Sequence, residues 1–308
     1  MKVLSFLSPL LLRTPCPLPT RLSSALVKAT VLELAILAGH LLIYPCGIAP
    51  ERRAATPAPG TPGTPGADPD EGSLPDAPEQ TGTERAGPTA LLADGETGRP
   101  PVVLLHGFID NRSVFVLLRR SLARHGWRHL ESLNYSPLTC DVRTAAELLG
   151  RHVEEICVRT GHREIDIVGH SLGGLIARYY VQRLGGDQRV RTLVTLGTPH
   201  SGTSVARPAS AHPIVRQMRS GSALIEELRT PAPGCRTRFV NFWSELDRVM
   251  VPVETACMDH PDLDVVNVRV TGIGHLALPV HPAVAAGIRE ALECQEATTS
   301  SSGTASVA

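Results

Sequence analysis

Apolar residues in this chain occur in short continuous runs, and most of these runs are followed by a stretch with helical spacing. The runs predict strands at 101–105, 130–135, 164–168, 190–196, 238–243 and 263–270. Helical spacing predicts helices at 113–125, 141–160, 175–184, 222–228 and 282–292. Runs that stay apolar, instead of alternating with polar residues, are typical of parallel strands covered on both faces. The pattern therefore predicts an α/β domain with a mostly parallel central sheet and helices on both faces.

The composition divides the 308-residue chain into four parts. Residues 1–50 are basic and then apolar, 51–98 are rich in Pro, Gly and Thr, 99–296 have a globular composition, and 297–308 form a small polar tail. Residues 51–98 have too few large apolar side chains to offset the entropy of ordering, so we expect a disordered linker. We expect the tail to be disordered as well. The roughly 200 residues from 99 to 296 are enough for one domain with a full core.

The N-terminal part contains a largely apolar segment at 25–48, in which Glu33 is the only acidic residue. Its length suits a membrane span of about 20 residues, although an acidic residue near the centre costs about 2.5–3.5 kcal/mol. We expect an uncleaved membrane anchor. Because basic residues precede the segment, we expect the globular domain to lie outside the cytoplasm. Secretion after signal cleavage and a cytosolic amphipathic leader are the alternatives, although no A-x-A site ends the segment.

The formal net charge is zero, and no basic stripe indicates a nucleic-acid partner. Lys2 and Lys28 are the only lysines, and Ala, Gly and Pro are abundant, which indicates a GC-rich bacterial genome. We expect a monomer. Because all predicted strands lie beyond residue 100, we also expect the N-terminal segment to make no necessary contribution to the globular domain.

The hexapeptide Gly-His-Ser-Leu-Gly-Gly at 169–174 lies between a predicted strand and a predicted helix. This order of strand, tight turn and helix is what a nucleophile elbow requires. Glycines at Gly169 and Gly173 allow a sharp turn, because a Cβ there would clash with the neighbouring strand or helix. The serine at the tip is exposed and close to the first N–H groups of the helix. We therefore predict that Ser171 is a catalytic nucleophile.

A serine hydroxyl needs a base and a group that orients the base, and at such an elbow the acid and then the histidine follow in chain order. Asp247 follows the strand ending at 243, and His275 follows the strand ending at 270. Both therefore lie at the carboxyl edge of the sheet with Ser171. We predict that His275 accepts the serine proton and that Asp247 orients the imidazole.

Other residues compete for these two roles. The histidines nearest the same edge are His200, His212, His260 and His281, but none follows a strand end as directly as His275. The competing acids are Glu245, Asp259, Asp262 and Asp264. Asp264 opens a strand at the wrong edge, whereas Asp259 and Asp262 belong to a turn. His106 and His170 flank glycines inside the motifs, and we expect them to orient loops.

An oxyanion hole needs two backbone N–H donors that point to the position where negative charge develops. One is expected from Leu172, the residue after the nucleophile. The other is expected from Phe108, in the loop after the first strand, where Gly107 permits a bend. The alternative is that His-Gly-Phe is only a turn that ends this strand.

Five segments together resemble the α/β-hydrolase superfamily, and more narrowly the small bacterial triacylglycerol lipases and carboxylesterases of the class 2 lipase type. They are Val102–Phe108, Val168–Gly174, Leu196–Thr203, Ser244–Asp247 and Gly272–Leu276. The resemblance implies an α/β-hydrolase fold with a minimal cap or none, because only the 37 residues between His200 and Arg238 leave room for a lid.

The same resemblance implies hydrolysis of a small-molecule or lipid ester through an acyl-enzyme intermediate. An acyltransferase with the same triad is the alternative. A non-catalytic hydrolase-like binding module is a third interpretation, but no triad residue is missing.

Seven cysteines leave at least one unpaired. Cys235 and Cys257 bracket the strand and loop that carry Asp247. A disulfide between them is one interpretation if the domain is extracytoplasmic, and two separate thiols are the other. No cluster has the spacing of metal ligands, so we expect no metal and no cofactor.

Overall fold

The computed structural model describes residues 24–48, 98–135, 141–206 and 212–300. Its strands are β1 Val102–Leu105, β2 Leu130–Leu133, β3 Ile165–His170, β4 Val190–Leu196, β5 Arg238–Ser244 and β6 Asp264–Val270. Its helices are α1 Ser24–Ile48, α2 Val116–Arg124, α3 Val142–Thr160, α4 Leu172–Arg183, α5 Pro213–Gln217, α6 Ala223–Arg229 and α7 Pro282–Ser300.

The strands form one six-stranded sheet in the order β2-β1-β3-β4-β5-β6, and every pairing is parallel. The parallel sheet that the apolar runs predict is therefore confirmed. Because all strands point the same way, the loops that follow them meet at one edge of the sheet. The loops after β1, β3, β4, β5 and β6 build the site described below.

Alternate residues of each central strand enter two separate apolar clusters. Val103 and Leu105 of β1 face the cluster that contains residues of α3, α4 and α6. Val102 and Leu104 face the cluster that contains residues of α2 and α7. All four side chains are buried, since helices cover both faces of the sheet. Because both faces are covered, the sequence of this strand is a continuous apolar run.

Several element bounds differ from the sequence expectation. The helix expected at 113–125 begins as a 3₁₀ helix at Arg112–Phe115, because the Asn111 side chain accepts a hydrogen bond from Ser113 N at 2.9 Å. Helix α7 continues to Ser300, so residues 297–300 of the expected tail are helical. The rest of the tail, and the expected linker apart from Gly98, lie outside the described residues.

The segment between β4 and β5 is small and packs into the core. Helix α6 buries Leu224, Ile225 and Leu228, and α5 buries Ile214 and Val215. Hydrogen bonds from Arg143 and Tyr179 to Glu227 also hold α6 against α3 and α4. Within its described residues the domain therefore carries no large cap, as expected.

Helix α1 contains a 20-residue segment, Leu26–Pro45, that is long and apolar enough to cross a membrane by length and composition, with a mean hydropathy of 1.9. The structure nevertheless places α1 against the globular domain. Ala29 is buried, Ile36 packs against the α2–α7 cluster, and Asn111 Nδ2 donates to Tyr44 O at 2.8 Å. Helix α1 therefore packs on the globular domain, a contact that the sequence pattern does not predict.

Cys235 and Cys257 are separate thiols, so the disulfide considered from the sequence is absent. Cys235 lies before the amino end of β5. Cys257 precedes Met258, whose N–H donates to the Asn267 side chain in the middle of β6. The two cysteines thus occupy different levels of the sheet. Burial raises the pKa of both thiols, which favours their protonated, unreactive form.

Candidate functional site

Ser171 is the single residue between β3 and α4, and it is strained. Its φ of 53° and ψ of −118° make it the only non-glycine residue with a positive φ in the described parts of the chain. Its N–H donates to Leu196 O at 2.9 Å, and its carbonyl accepts from Gly174 N and Thr198 Oγ1. Such a conformation costs about 1–3 kcal/mol and persists only where its surroundings enforce it. The turn therefore holds the serine side chain in one position, although Ser171 is buried in this structure and not exposed as the sequence predicts.

Close packing of α4 against the strands explains the glycines of the elbow. A Cβ on Gly169 would lie 2.5 Å from Gly174 Cα, and a Cβ on Gly173 would lie 2.7 Å from His106 O. A Cβ on Gly174 would overlap with Thr198 Oγ1. The first turn of α4 therefore touches the backbone after β1 and the loop after β4, and only glycine allows this approach.

His275 and Asp247 form a buried pair at the same edge of the sheet. His275 Nδ1 lies 2.7 Å from Asp247 Oδ2. The other carboxylate oxygen accepts N–H bonds from Val249 at 2.8 Å and Met250 at 2.9 Å. These two backbone donors fix the carboxylate, and the carboxylate fixes the tautomer with the proton on Nδ1. The Nε2 of His275 is left as the basic nitrogen.

The environment of the pair favours an anionic carboxylate beside a basic imidazole. Burial acts to lower the pKa of His275, but the charge and hydrogen bond of Asp247 outweigh it and raise that pKa. Burial acts to raise the pKa of Asp247, yet the charge and hydrogen bond of His275 hold it below its usual value. Within the described residues, no hydrogen bond joins Ser171 to His275, and such bonds are often long before a substrate binds.

The competing acids, and three of the four competing histidines, have other partners or are exposed. Glu245 pairs with Arg269, Asp262 accepts a hydrogen bond from Ala232 N, and Asp259 and Asp264 are exposed. His200 Nε2 lies 2.9 Å from Thr195 Oγ1, His260 Nε2 lies 3.1 Å from Thr230 O, and His212 packs edge-on against Phe108. Burial and the charge of Arg178 hold the pKa of His200 well below its usual value.

The loop after β1 lies directly against Ser171. A Cβ on Gly107 would lie 3.3 Å from Ser171 Cβ. Leu172 is the first residue of α4, so its N–H has no acceptor inside the helix. In the described residues the N–H groups of Phe108 and Leu172 have no hydrogen-bond acceptor. Neither N–H group is therefore engaged within the described fold, as the predicted oxyanion hole requires.

Asp110 and His170 form a second buried pair, which the sequence analysis did not predict. His170 Nδ1 lies 3.1 Å from Asp110 Oδ2, and its Nε2 lies 3.3 Å from His275 O. Both ring nitrogens of His170 therefore face acceptor oxygens. Burial acts to raise the pKa of Asp110, but the hydrogen bond and charge of His170 lower it. This pair joins the loop after β1, the elbow and the His275 loop.

The segment from Gly197 to Thr203, which follows β4, packs against the His275–Asp247 pair and its loop. A Cβ on Gly197 would lie 2.9 Å from His275 Nδ1 and 3.0 Å from Asp247 Oδ2. Thr203 Oγ1 donates to Val249 O at 2.7 Å, in the loop that carries Asp247. Buried Arg178 donates to His200 O at 2.9 Å. The sequence marked this segment only as a family motif, whereas the structure shows that it connects the elbow to the acid loop.

No group of three or more His, Cys, Asp or Glu side chains in the described parts of the chain is arranged to hold a metal ion. The polar groups at this edge of the sheet are those of acyl-transfer chemistry: a hydroxyl at a strained turn, a basic imidazole with its carboxylate, and two free backbone donors.

Comparison with known sequences finds two kinds of relative. Residues 101–232 match the model of the palmitoyl protein thioesterase family. A triacylglycerol lipase of Burkholderia plantarii is 30% identical over 132 residues, which are 40% of this chain and 36% of the lipase. The chain thus spans little more than a third of this lipase. The residues that match the family model include the elbow and the loop after β1.

Solved structures share the fold at low sequence identity. Aspergillus fumigatus lipase B matches with a TM-score of 0.57 and 16% identity, covering 65% of this chain and 53% of the lipase. The mature form of Bacillus licheniformis lipase BlEst2 matches with a TM-score of 0.54 and 15% identity, covering 66% of this chain and 96% of the lipase. The α/β-hydrolase fold that the motifs imply is confirmed.

Replacing Gly197 tests whether this position supports the His275–Asp247 pair. We expect Gly197→Ala to displace the pair and to remove the downfield proton NMR signal of its hydrogen bond, because the new Cβ would meet both side chains. Gly221→Ala is the matched control, since Gly221 also has a positive φ but open space around it. Each variant should lose about 1–2 kcal/mol of stability from backbone strain. An unchanged signal in Gly197→Ala would show that this position does not support the His275–Asp247 pair.

Proposed function

We propose that this chain, a member of the α/β-hydrolase superfamily, is a serine-dependent carboxylic ester hydrolase that acts through an acyl-enzyme intermediate. The observation that carries the proposal is the placement of the strained Ser171 and the buried His275–Asp247 pair at one edge of the sheet. The name of the Burkholderia relative, a triacylglycerol lipase, supports the same activity. A lipid ester is accordingly the first substrate class to test.

In the proposed mechanism, His275 Nε2 takes the proton of Ser171 Oγ while this oxygen attacks the ester carbonyl carbon. The carbonyl oxygen becomes negative and accepts hydrogen bonds from the N–H groups of Phe108 and Leu172. His275 then gives the proton to the leaving alcohol, and the C–O bond breaks. Water repeats the sequence on the acyl-serine and releases the carboxylic acid. Asp247 stabilises the imidazolium in both steps.

The match to the palmitoyl protein thioesterase model favours thioesters as a second substrate class. The same groups would act on a thioester, because its carbonyl carbon is attacked in the same way and a thiol leaves instead of an alcohol. An acyltransferase also uses these groups, and differs in that an alcohol resolves the acyl-enzyme instead of water. Product analysis with and without an added alcohol acceptor separates hydrolysis from acyl transfer.

The first test is substitution of the nucleophile. We expect the full chain to hydrolyse p-nitrophenyl esters of graded chain length and to react with a fluorophosphonate probe. Ser171→Ala should abolish labelling and leave only the rate due to binding and the oxyanion hole, roughly 10³–10⁴-fold above water. Ser201→Ala, at a serine outside the elbow, is the control. Labelling that survives Ser171→Ala would remove this serine from the mechanism. An intact chain that neither hydrolyses nor labels would favour the non-catalytic interpretation.

The second test concerns the acid. Asp247→Asn should lower kcat by about 10⁴-fold, because the amide favours the wrong tautomer of His275. The base must be neutral, so activity rises as pH passes the pKa of His275. The substitution removes the charge that raises this pKa, so the acidic limb of the kcat/KM profile should move to lower pH. The exposed Asp259→Asn is the control. A near-silent Asp247→Asn together with an inactive Asp259→Asn would reverse the assignment.

We further propose that the N-terminal segment associates the enzyme with the cell membrane, with the catalytic domain outside the cytoplasm. The apolar segment Leu26–Pro45 supports this, as does the position of basic residues before it. Secretion after signal cleavage remains the alternative, because a signal sequence has the same length and composition.

Fractionation of cells tests this location. We expect the full chain in the membrane fraction, and we expect protease added to intact spheroplasts to digest the catalytic domain while a cytoplasmic marker protein stays intact. Protection of the domain would reverse the orientation. Recovery of the full-length chain in the soluble fraction would contradict the membrane association.

A further inference from the structure

The single acidic residue of α1 lies against the loop that carries His275. Glu33 accepts hydrogen bonds from Leu276 N at 3.0 Å and from Ala277 N at 2.9 Å. A Cβ on Gly274 would lie 2.6 Å from the carboxyl carbon of Glu33, so the carboxylate fills the space that this glycine leaves open. Glu33 therefore contacts the residues on both sides of His275.

The N–H groups of Leu276 and Ala277 need an outside acceptor because they begin the turn that follows His275. Within this turn Leu278 N donates to His275 O, and Val280 N donates to Ala277 O. The N–H groups of Leu276 and Ala277 come first, so they have no partner inside the turn, as at the beginning of a helix. A side-chain oxygen normally caps such groups from the same chain segment. Here a carboxylate more than 240 positions away in sequence does so, with charge-assisted hydrogen bonds.

The contacts of α1 form one stripe along the helix. Ala29, Glu33, Ile36, His40 and Tyr44 are spaced by three or four residues and therefore lie on the same face. His40 Nδ1 lies 3.6 Å from Asp110 Oδ1, and Tyr44 O accepts from Asn111 Nδ2. The stripe thus touches the loop after β1 as well as the His275 loop, both of which the proposed mechanism uses.

We infer that α1 is a working part of the active site and that Glu33 is a positioning residue for His275. The inference rests on the proposed ester hydrolysis. By capping Leu276 and Ala277, Glu33 fixes the backbone from which the His275 side chain projects, and so sets the direction of Nε2 toward Ser171. Docking leaves most of the Leu26–Pro45 segment exposed, and the apolar face that includes Val31, Leu34 and Leu42 is the part of α1 that remains available to a membrane.

The kinetic test uses the full chain in detergent. Glu33→Gln keeps the shape of the side chain but removes its charge and one of its two acceptors. We expect kcat, and the rate of fluorophosphonate labelling, to fall about tenfold to a hundredfold, with KM and the urea unfolding midpoint nearly unchanged. Leu42→Ala, at an exposed position on the opposite face, should keep the wild-type kcat. A wild-type kcat in Glu33→Gln would overturn the positioning role, and so would a change confined to KM.

Photo-cross-linking tests the docking without any use of activity. A benzoylphenylalanine at position 36, on the docked stripe, should cross-link to the peptides that contain Arg112–Phe115 or the His275 loop in the same chain, whereas the same residue at position 42 should not. Absence of a cross-link from position 36 would overturn the docking. If the wild-type chain cross-links but hydrolyses no ester, the proposed function fails and the docking stands. If it hydrolyses esters without the cross-link, the docking fails and the proposed function stands.

Discussion

The backbone turn at Ser171 is the constraint on which the rest of the site depends. One residue reverses the chain between β3 and α4, and its strained φ and ψ are held because α4 packs tightly against the strand ends. That packing excludes a Cβ at Gly169, Gly173 and Gly174. The loops after β1 and β4 then have fixed positions beside the serine, since they contact the same first turn of α4. Gly197 has a similar role in the loop after β4, because its missing side chain leaves room for His275 and Asp247.

Buried charge at this edge of the sheet is compensated in each place by a specific partner. Removing a charged group from water costs several kcal/mol, which only well-placed partners offset. Asp247 has His275 and two backbone N–H groups, and Asp110 has His170. Glu33 has the two N–H groups after His275. Asp247 contacts His275 directly, Asp110 contacts it through His170, and Glu33 contacts the two residues that follow it. The His275 loop is therefore held from three directions.

The sequence predicts the parts of this structure that depend on local pattern. Strand β4 has the bounds that its apolar run predicts, and α3 begins one residue after its predicted start, with Asp141 as the N-cap. The spacing of Ser171, Asp247 and His275 after strand ends places all three at one edge. Contacts between distant segments leave no such pattern. From the sequence, Glu33 is only an unfavourable charge in an apolar helix, because no pattern near it predicts its contact with Leu276 and Ala277. The Asp110–His170 pair, and the separation of Cys235 from Cys257, likewise depend on tertiary packing.

The central claim is that Ser171 carries the acyl group during turnover. Rapid mixing of the full chain with a p-nitrophenyl ester, followed by acid quench and peptide mass spectrometry, tests it directly. We predict an initial burst of p-nitrophenol equal to the enzyme concentration, together with an acyl adduct on the peptide that contains Ser171. Steady turnover with the adduct on another residue, or with no covalent adduct under conditions where a burst is observed, would contradict the account.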